Sequence, residues 1–185
     1  MPGGIRVRGM ADAPAEARVV SGAEIPRILP TLSVLLRDAV DGGASLGFLA
    51  PLDPAEAGMY WRGAESEVRA GRRILVVARS GARVVGCVQL VLSTRANAPH
   101  RAEVQKLCVL TAERGKGIGK ALMEAAHAAA LARGRTLLIL DTRKGDPAEV
   151  LYRGLGYAEL GVVPNFTRDR TGAYQDTVFF YKHLA

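Results

Sequence analysis

"LCVLTAERGKGIGKALM", residues 107–123, is the stretch on which the reading of this chain turns. It begins inside an apolar, strand-like run and passes through a turn. It then continues into alanines and leucines with helical spacing. The turn holds three glycines, Gly115, Gly117 and Gly119, and three cations, Arg114, Lys116 and Lys120. Glycine at this density costs conformational entropy unless the backbone must bend sharply or approach something closely. Where a strand gives way to a helix, unpaired N–H groups and the positive end of the helix dipole point the same way, so the turn reads as an anion-binding site.

Three phosphate motifs can be tested against it. A P-loop needs G-x-x-x-x-G-K-[ST], but Gly119-Lys120 has Arg114 five residues before the glycine and Ala121 after the lysine. The dinucleotide fingerprint G-x-G-x-x-G fails because the glycines are spaced two and two. The spacing R-x-x-G-x-G fits, as Arg114, Gly117 and Gly119.

Outward from the turn, the periodicities order the rest of the chain. Residues 1 to about 20 carry little pattern and are expected to be a flexible N-terminal extension, with Met10 an alternative start. Ser21 is a candidate helix cap before an apolar stripe through Ile28, Leu32, Leu35, Leu36 and Val40, with a bend expected at Pro30. Asp53-Pro54 with Glu56 starts a second helix, which should end near Gly71. "RRILVVARS" and "ARVVGCVQLVLST" form a hairpin broken at Ser80-Gly81, and "RAEVQKLCVL" is the next strand. On the long helix after the turn, Ile118, Leu122, Ala125, Ala129 and Ala132 are expected inside, with Lys120, Glu124 and His127 outside. "TLLILDT" is a short buried strand, "DPAEVLYRGLG" a short helix, and "YAELGVV" and "DTVFFYKHL" the last two strands. The result is an α/β domain over residues 21–185 on a single mixed central sheet with flanking helices.

Bulk properties narrow the function. The chain has 185 residues, 49% of them apolar, which suffices for one domain with a sizeable core. No apolar run approaches the roughly 20 residues of a membrane helix, and the first residues lack the apolar core of a secretory signal. A cytoplasmic location is therefore expected. Cys87 and Cys108 sit in apolar strand runs and read as buried, reduced thiols. His100, His127 and His183 lack metal-ligand spacing, so no metal is expected. The net charge of +7 is spread along the chain without aromatic interleaving, which argues against a dedicated nucleic-acid reader.

The turn does not stand alone. About 30 residues on, "AEVLYRGLGY", residues 148–157, supplies an Ala, then Leu-Tyr, then Gly-aromatic. Together the two motifs resemble those of the GNAT acetyltransferase superfamily, in order and separation. A closer resemblance, to the tabtoxin-resistance acetyltransferases, rests on "DGGASLGFLAPLD" (41–53), "RAEVQKLCVL" (101–110) and "PNFTRDRTGAY" with "FFYKHL" (164–184). It covers most of residues 40–184. The resemblance implies a GNAT fold with a splayed acetyl-CoA-binding gap, acetyl-CoA as co-substrate and a small-molecule acceptor. Members are often dimers, so a homodimer stays open. Gly145 and Gly154 depart from the family, which often has Asn and Lys there.

By the same resemblance, backbone groups of Leu107, Cys108 and Val109 would pair with the pantetheine arm, and Val109 N–H would face the developing oxyanion. Gly115, Lys116, Gly117, Ile118, Gly119 and Lys120 would hold the pyrophosphate through their N–H groups, with Arg114 as a side-chain contact and Arg143 and Lys144 adding field. Tyr152 matches the tyrosine expected to protonate the leaving thiolate. Glu103 and Asp141 are carboxylates on the two strands flanking the gap, and their mutual repulsion would raise one pKa, as a general base requires. Direct transfer is favoured over an acetyl-cysteine route, because alternation puts Cys108 opposite Leu107 and Val109. The acceptor pocket is expected at Asp41, Ser45, Phe48 and Asn165. The expected activity is N- or O-acetylation of a small polar amine or amino-acid-like molecule, with toxin or antibiotic inactivation as a role. The alternatives are an acyl-CoA-binding sensor without catalysis and a protein or aminoglycoside acetyltransferase.

Overall fold

A computed structural model describes residues 15–185. The first element is a strand, β1 (Glu16–Val20), which pairs antiparallel with β2 from Glu16↔Arg79 to Val20↔Leu75. The extension expected over residues 1–20 therefore overlaps an edge strand. Four of its five residues are not buried, so it carries no alternation to betray it. Met10 lies outside the described residues.

Helix α1 (Ile25–Asp41) accommodates Pro30 inside a continuous element, and Glu24 rather than Ser21 is its N-cap. Glu24 reaches back to the Ser21 N–H at 3.0 Å and hydroxyl at 3.1 Å, which fixes the entry of the chain. In α2 (Pro54–Arg69) the Asp53 carboxylate accepts the N–H groups of Ala55 and Glu56, capping the first turn. The expected hairpin is β2 (Arg73–Ser80) with β3 (Arg83–Leu92). It is followed by β4 (Arg101–Val109), α3 (Ile118–Leu131), β5 (Leu137–Arg143), α4 (Ala148–Gly154), β6 (Ala158–Arg168) and β7 (Tyr174–His183).

These strands form one seven-stranded sheet in the order β1-β2-β3-β4-β5-β7-β6. Every pairing is antiparallel except β4 with β5. The single parallel step is made through α3, the right length of crossover for a parallel neighbour. Helices α3 and α4 cover one face, burying Leu122, Met123 and Tyr152 against Val104, Leu138, Leu140 and Phe180. Helices α1 and α2 cover the other, around Leu32, Leu36, Trp61, Leu75 and Val77. The buried stripe of α3 is Ile118, Leu122, Met123, Ala126 and Ala130, rotated from the stripe read off the sequence. His127 is correspondingly drawn in, with Nε2 2.9 Å from the Tyr157 hydroxyl.

The sheet is incomplete at its middle. Strands β4 and β5 pair over only three residues, Arg101↔Leu137, Ala102↔Leu138 and Glu103↔Ile139. Beyond Glu103 they diverge, although β4 continues to Val109 and β5 to Arg143. On the other side of β4 the pairing slips between Cys87↔Cys108 and Gln89↔Gln105, so one β3 residue opposes two on β4. Lys106 takes φ 54 at this bulge. A bulge bends its strand and adds twist, which swings the far half of β4 away from β5.

Candidate active site

The glycine turn sits where β4 ends. Gly115 and Gly117 adopt φ 76 and 78, left-handed conformations that a side chain disfavours, and Gly117 is the N-cap of α3. The first α3 hydrogen bond runs from Ala121 N–H to Gly117 O at 3.1 Å. Among the described residues the N–H groups of Gly117, Ile118, Gly119 and Lys120 find no acceptor, as at any helix start. The cations around the turn lie in exposed pairs. Lys116 and Arg83 both bridge to Glu113, at 2.7 and 2.6 Å, and Lys120 lies 3.8 Å from Glu124. Exposed pairs are worth about 0–1 kcal/mol, so exchanging a carboxylate partner for a phosphate costs little. Arg114 folds back, its Nε donating to Val109 O at 3.3 Å.

Above the turn, the opened backbone of β4 faces no strand. Leu110 N–H is spent on Val85 O of β3 at 2.9 Å. Strand alternation then points the N–H groups of Val109 and Leu107 the other way, into the gap. The same alternation turns Cys108 toward β3, where it is register partner to Cys87 and its carbonyl lies against Gly86. Its thiol is buried in the α1–α2 core, 3.3 Å from Lys106 O. Cys108 is thus not brought into the gap, unlike its two neighbours.

A cavity of about 280 Å³ opens at the mouth of the gap, lined by Glu103, Lys106, Asp141, Asp146 and Tyr152 among others. Tyr152 enters from α4, on the α3 side of the sheet, and its ring is held against Tyr157 and Phe180. Its hydroxyl makes no hydrogen bond among the described residues, and burial, aided by Asp146, Cys108 and Asp141, pushes its pKa well up. It is therefore a proton carrier at any physiological pH. Glu103 and Asp141 arrive from the other face. Asp141 is raised by partial burial and next by Glu103, with Lys106 opposing. Glu103 accepts a 2.6 Å hydrogen bond from Gln105 Nε2. One phenol that keeps its proton and one carboxylate raised toward neutrality now share a small cavity, an arrangement able to donate one proton and accept another.

The acceptor residues expected from the sequence divide. Ser45 lines this cavity and also a second hollow of about 210 Å³, which Phe48 lines too. Asp41 does not reach either one. Its Oδ1 accepts the Leu52 N–H at 2.9 Å and pins the 42–52 loop, the capping role of a loop aspartate. Asn165, at φ 55, lies in β6 where its pairing with β7 slips, its N–H donates to Asp176, and Phe166 and Thr167 line the cavity in its place. Sequence reading passed over Lys106, Gln105 and Asp146. Two adjacent polar residues inside the apolar run "EVQKLCVL" were the signal for the first pair.

This fold, with its parted parallel strands and its glycine turn, is that of the GNAT acetyltransferases. Residues 71–159 match the family model of the acetyltransferase (GNAT) domain, a class that uses acetyl-CoA. Among solved structures it is similar to a phosphinothricin acetyltransferase from Sinorhizobium meliloti in complex with acetyl-CoA. The two share 24% identity over 94% of this chain and 90% of that one, with a TM-score of 0.73. It is also similar to yncA from Salmonella typhimurium, solved with its cofactor acetyl-CoA, at 17% identity over 94% and 95% of the two chains and a TM-score of 0.76. The ribosomal-protein-alanine N-acetyltransferase from Brucella melitensis matches at 24% identity over 91% and 99%, with a TM-score of 0.71. At these identities the likeness speaks for the fold.

Proposed function

We propose that this protein transfers an acetyl group from acetyl-CoA directly to the amine of a small, polar, amino-acid-like acceptor, with Tyr152 as general acid. The observation that carries the reading is the convergence of Glu103, Asp141 and Tyr152 on one cavity at the mouth of the β4–β5 gap. Acetyl-CoA, when bound, supplies a thioester whose carbonyl carbon is the electrophile. The unpaired N–H groups of Gly117 to Lys120 suit its pyrophosphate, and Arg114 needs only to leave Val109 O to join them.

A simple ammonium must lose a proton before it attacks. Asp141, its pKa raised by burial and by Glu103, takes that proton, and Glu103 shares the charge. Val109 N–H, aimed into the gap, donates to the oxyanion that forms, a contact typically worth on the order of 100- to 1000-fold in rate. Tyr152 then protonates the leaving thiolate. Cys108, turned into the core, has no part in transfer. The similarity to a phosphinothricin acetyltransferase supports an amino-acid-like acceptor and a role in inactivating a toxin or antibiotic.

The test is thiol release from acetyl-CoA against a panel of small amines, amino acids and dipeptides, in wild type and Tyr152→Phe. Acceptor-dependent release that collapses in the variant supports the reading. Tight acetyl-CoA binding without acceptor-dependent release would instead mark an acyl-CoA sensor.

A further inference from the structure

The apolar positions of β4 that pack toward α3 are Ala102 and Val104 before the bulge, Leu107 and Val109 after it. The alternation slips by one at Gln105-Lys106. Lys106, at φ 54, is the residue that absorbs the slip, and in consequence Glu103, Gln105 and Lys106 all lie off the α3 face. The Lys106 ammonium extends beneath the loop that follows α1, 5.6 Å from the Phe48 ring centroid and 5.3 Å from that of Tyr60. The loop closes over it so nearly that a Cβ added at Gly47 would stand 3.7 Å from Nζ.

Its surroundings leave this cation incompletely balanced. Among the described residues it has no hydrogen-bond acceptor and no ion-pair partner, and its nearest named neighbours are two aromatic faces. Aromatic faces attract a cation without neutralising it. Burial lowers its pKa first, and Arg73 adds to that, while Cys108, Asp141 and Glu103 only partly offset the effect. Yet Lys106 lines the same cavity as Glu103, Asp141 and Tyr152, and both carboxylates act on its charge. A desolvated cation beside two carboxylates, none of them paired with it, is a surface complementary to a zwitterion.

We propose that Lys106 determines acceptor specificity by binding a carboxylate carried next to the acceptor's nucleophilic amine, so that the acceptor is a free amino acid rather than a simple amine. The proposal rests on the acetyl-transfer reading above. An acceptor ammonium entering alone would face the like charge of Lys106. A zwitterion meets Glu103 and Asp141 with its ammonium and Lys106 with its carboxylate. The adjoining hollow, lined by Arg143, Arg168 and Arg170 among others, is the room left for the acceptor's side chain. Arg143 bonds Asp146 at 3.4 Å and Arg168 bonds the Tyr174 hydroxyl at 2.9 Å.

The experiment measures thiol release from acetyl-CoA with matched sets of probes: L-amino acids, their carboxamides and their decarboxylated amines. It uses wild type, Lys106→Gln and Lys106→Arg, each shown by thermal melting to be folded. In wild type the acids should exceed their carboxamides by about 10- to 100-fold in kcat/KM, the scale of one charge-assisted hydrogen bond. Lys106→Gln should collapse that ratio through KM for the acids, and Lys106→Arg should restore part of it. Equal rates for acids and carboxamides in wild type, or a ratio that survives Lys106→Gln, overturns the proposal. If acetyl-CoA binds by calorimetry but no probe drives release, the amino-acid class is excluded and the proposal falls. Failure of acetyl-CoA to bind would instead overturn the acetyl-transfer reading itself.

Discussion

The two halves of β4 make a useful contrast. From Arg101 to Glu103 the strand is paired on both sides, with β3 and with β5. From Gln105 to Val109 it is paired only with β3, and its other edge is open. In the first half Ala102 serves the core. In the second the backbone itself faces the cavity. One residue, placed at the bulge, separates a structural strand from a working one. An open edge in mid-sheet leaves polar groups without partners, which folded proteins otherwise avoid. On the acetyl-transfer reading proposed above, this is where the pantetheine arm completes the sheet.

That contrast can be broken from either side. The largest effect is expected on the open side. Tyr152→Phe should lower kcat by about 10²–10⁴-fold while acetyl-CoA affinity, read by calorimetry, stays near that of wild type. A variant as fast as wild type would remove the phenol from the chemistry. Asp141→Asn should cost about 10²-fold and also change the pH profile. In wild type kcat/KM should rise with pH through a carboxylate limb that is displaced upward, because burial and Glu103 raise the Asp141 pKa. That limb should disappear in the variant, and its persistence would shift the base role to Glu103.

On the closed side the sign of the effect changes from activity to stability. Leu138, fully buried on the α3 side and paired across from Ala102, should lose about 3 kcal/mol on Leu138→Ala, seen in urea melts, with turnover at 25 °C retained. Gly117→Ala joins the two readouts. A side chain at φ 78 costs about 1–2 kcal/mol of stability and should weaken acetyl-CoA binding as the turn relaxes. Should affinity hold, the turn's conformation is not what binds the co-substrate.

The smallest effect is expected in α3. His127, lowered to about 4 mainly by burial and then by Lys182, stays neutral in the folded protein while the unfolded chain takes up a proton near 6.5. The unfolded state then binds more protons between those values, so stability falls as pH drops from about 6.5 to about 4. His127→Gln should flatten that part of the stability curve, by no more than about 1–2 kcal/mol given the half-exposed ring.

The order of elements after β1 was legible because each rested on local physics: the Asp53 cap, the break at Gly81, the glycine turn at a helix start. Strand β1 was not legible, since an exposed edge strand needs no alternation of its own. The buried stripe of α3 was misplaced by part of a turn because a helix rich in alanine offers several faces of similar hydropathy, and the sheet beneath selects one. Tyr152, Glu103 and Asp141, far apart in the chain, were each singled out by residue type and motif. Their convergence required the sheet order that sets α4 and β5 beside the open half of β4.

By itself the sequence determined the elements after β1 and the glycine turn, since these follow from local spacing and side-chain type, and its two motifs pointed by resemblance to the class of chemistry. Tertiary structure alone decided that Asp41 pins a loop rather than meeting an acceptor and that Lys106 meets the cavity. Each of those depends on which neighbour a side chain finds across the sheet, and the one-residue bulge in β4 sets that choice.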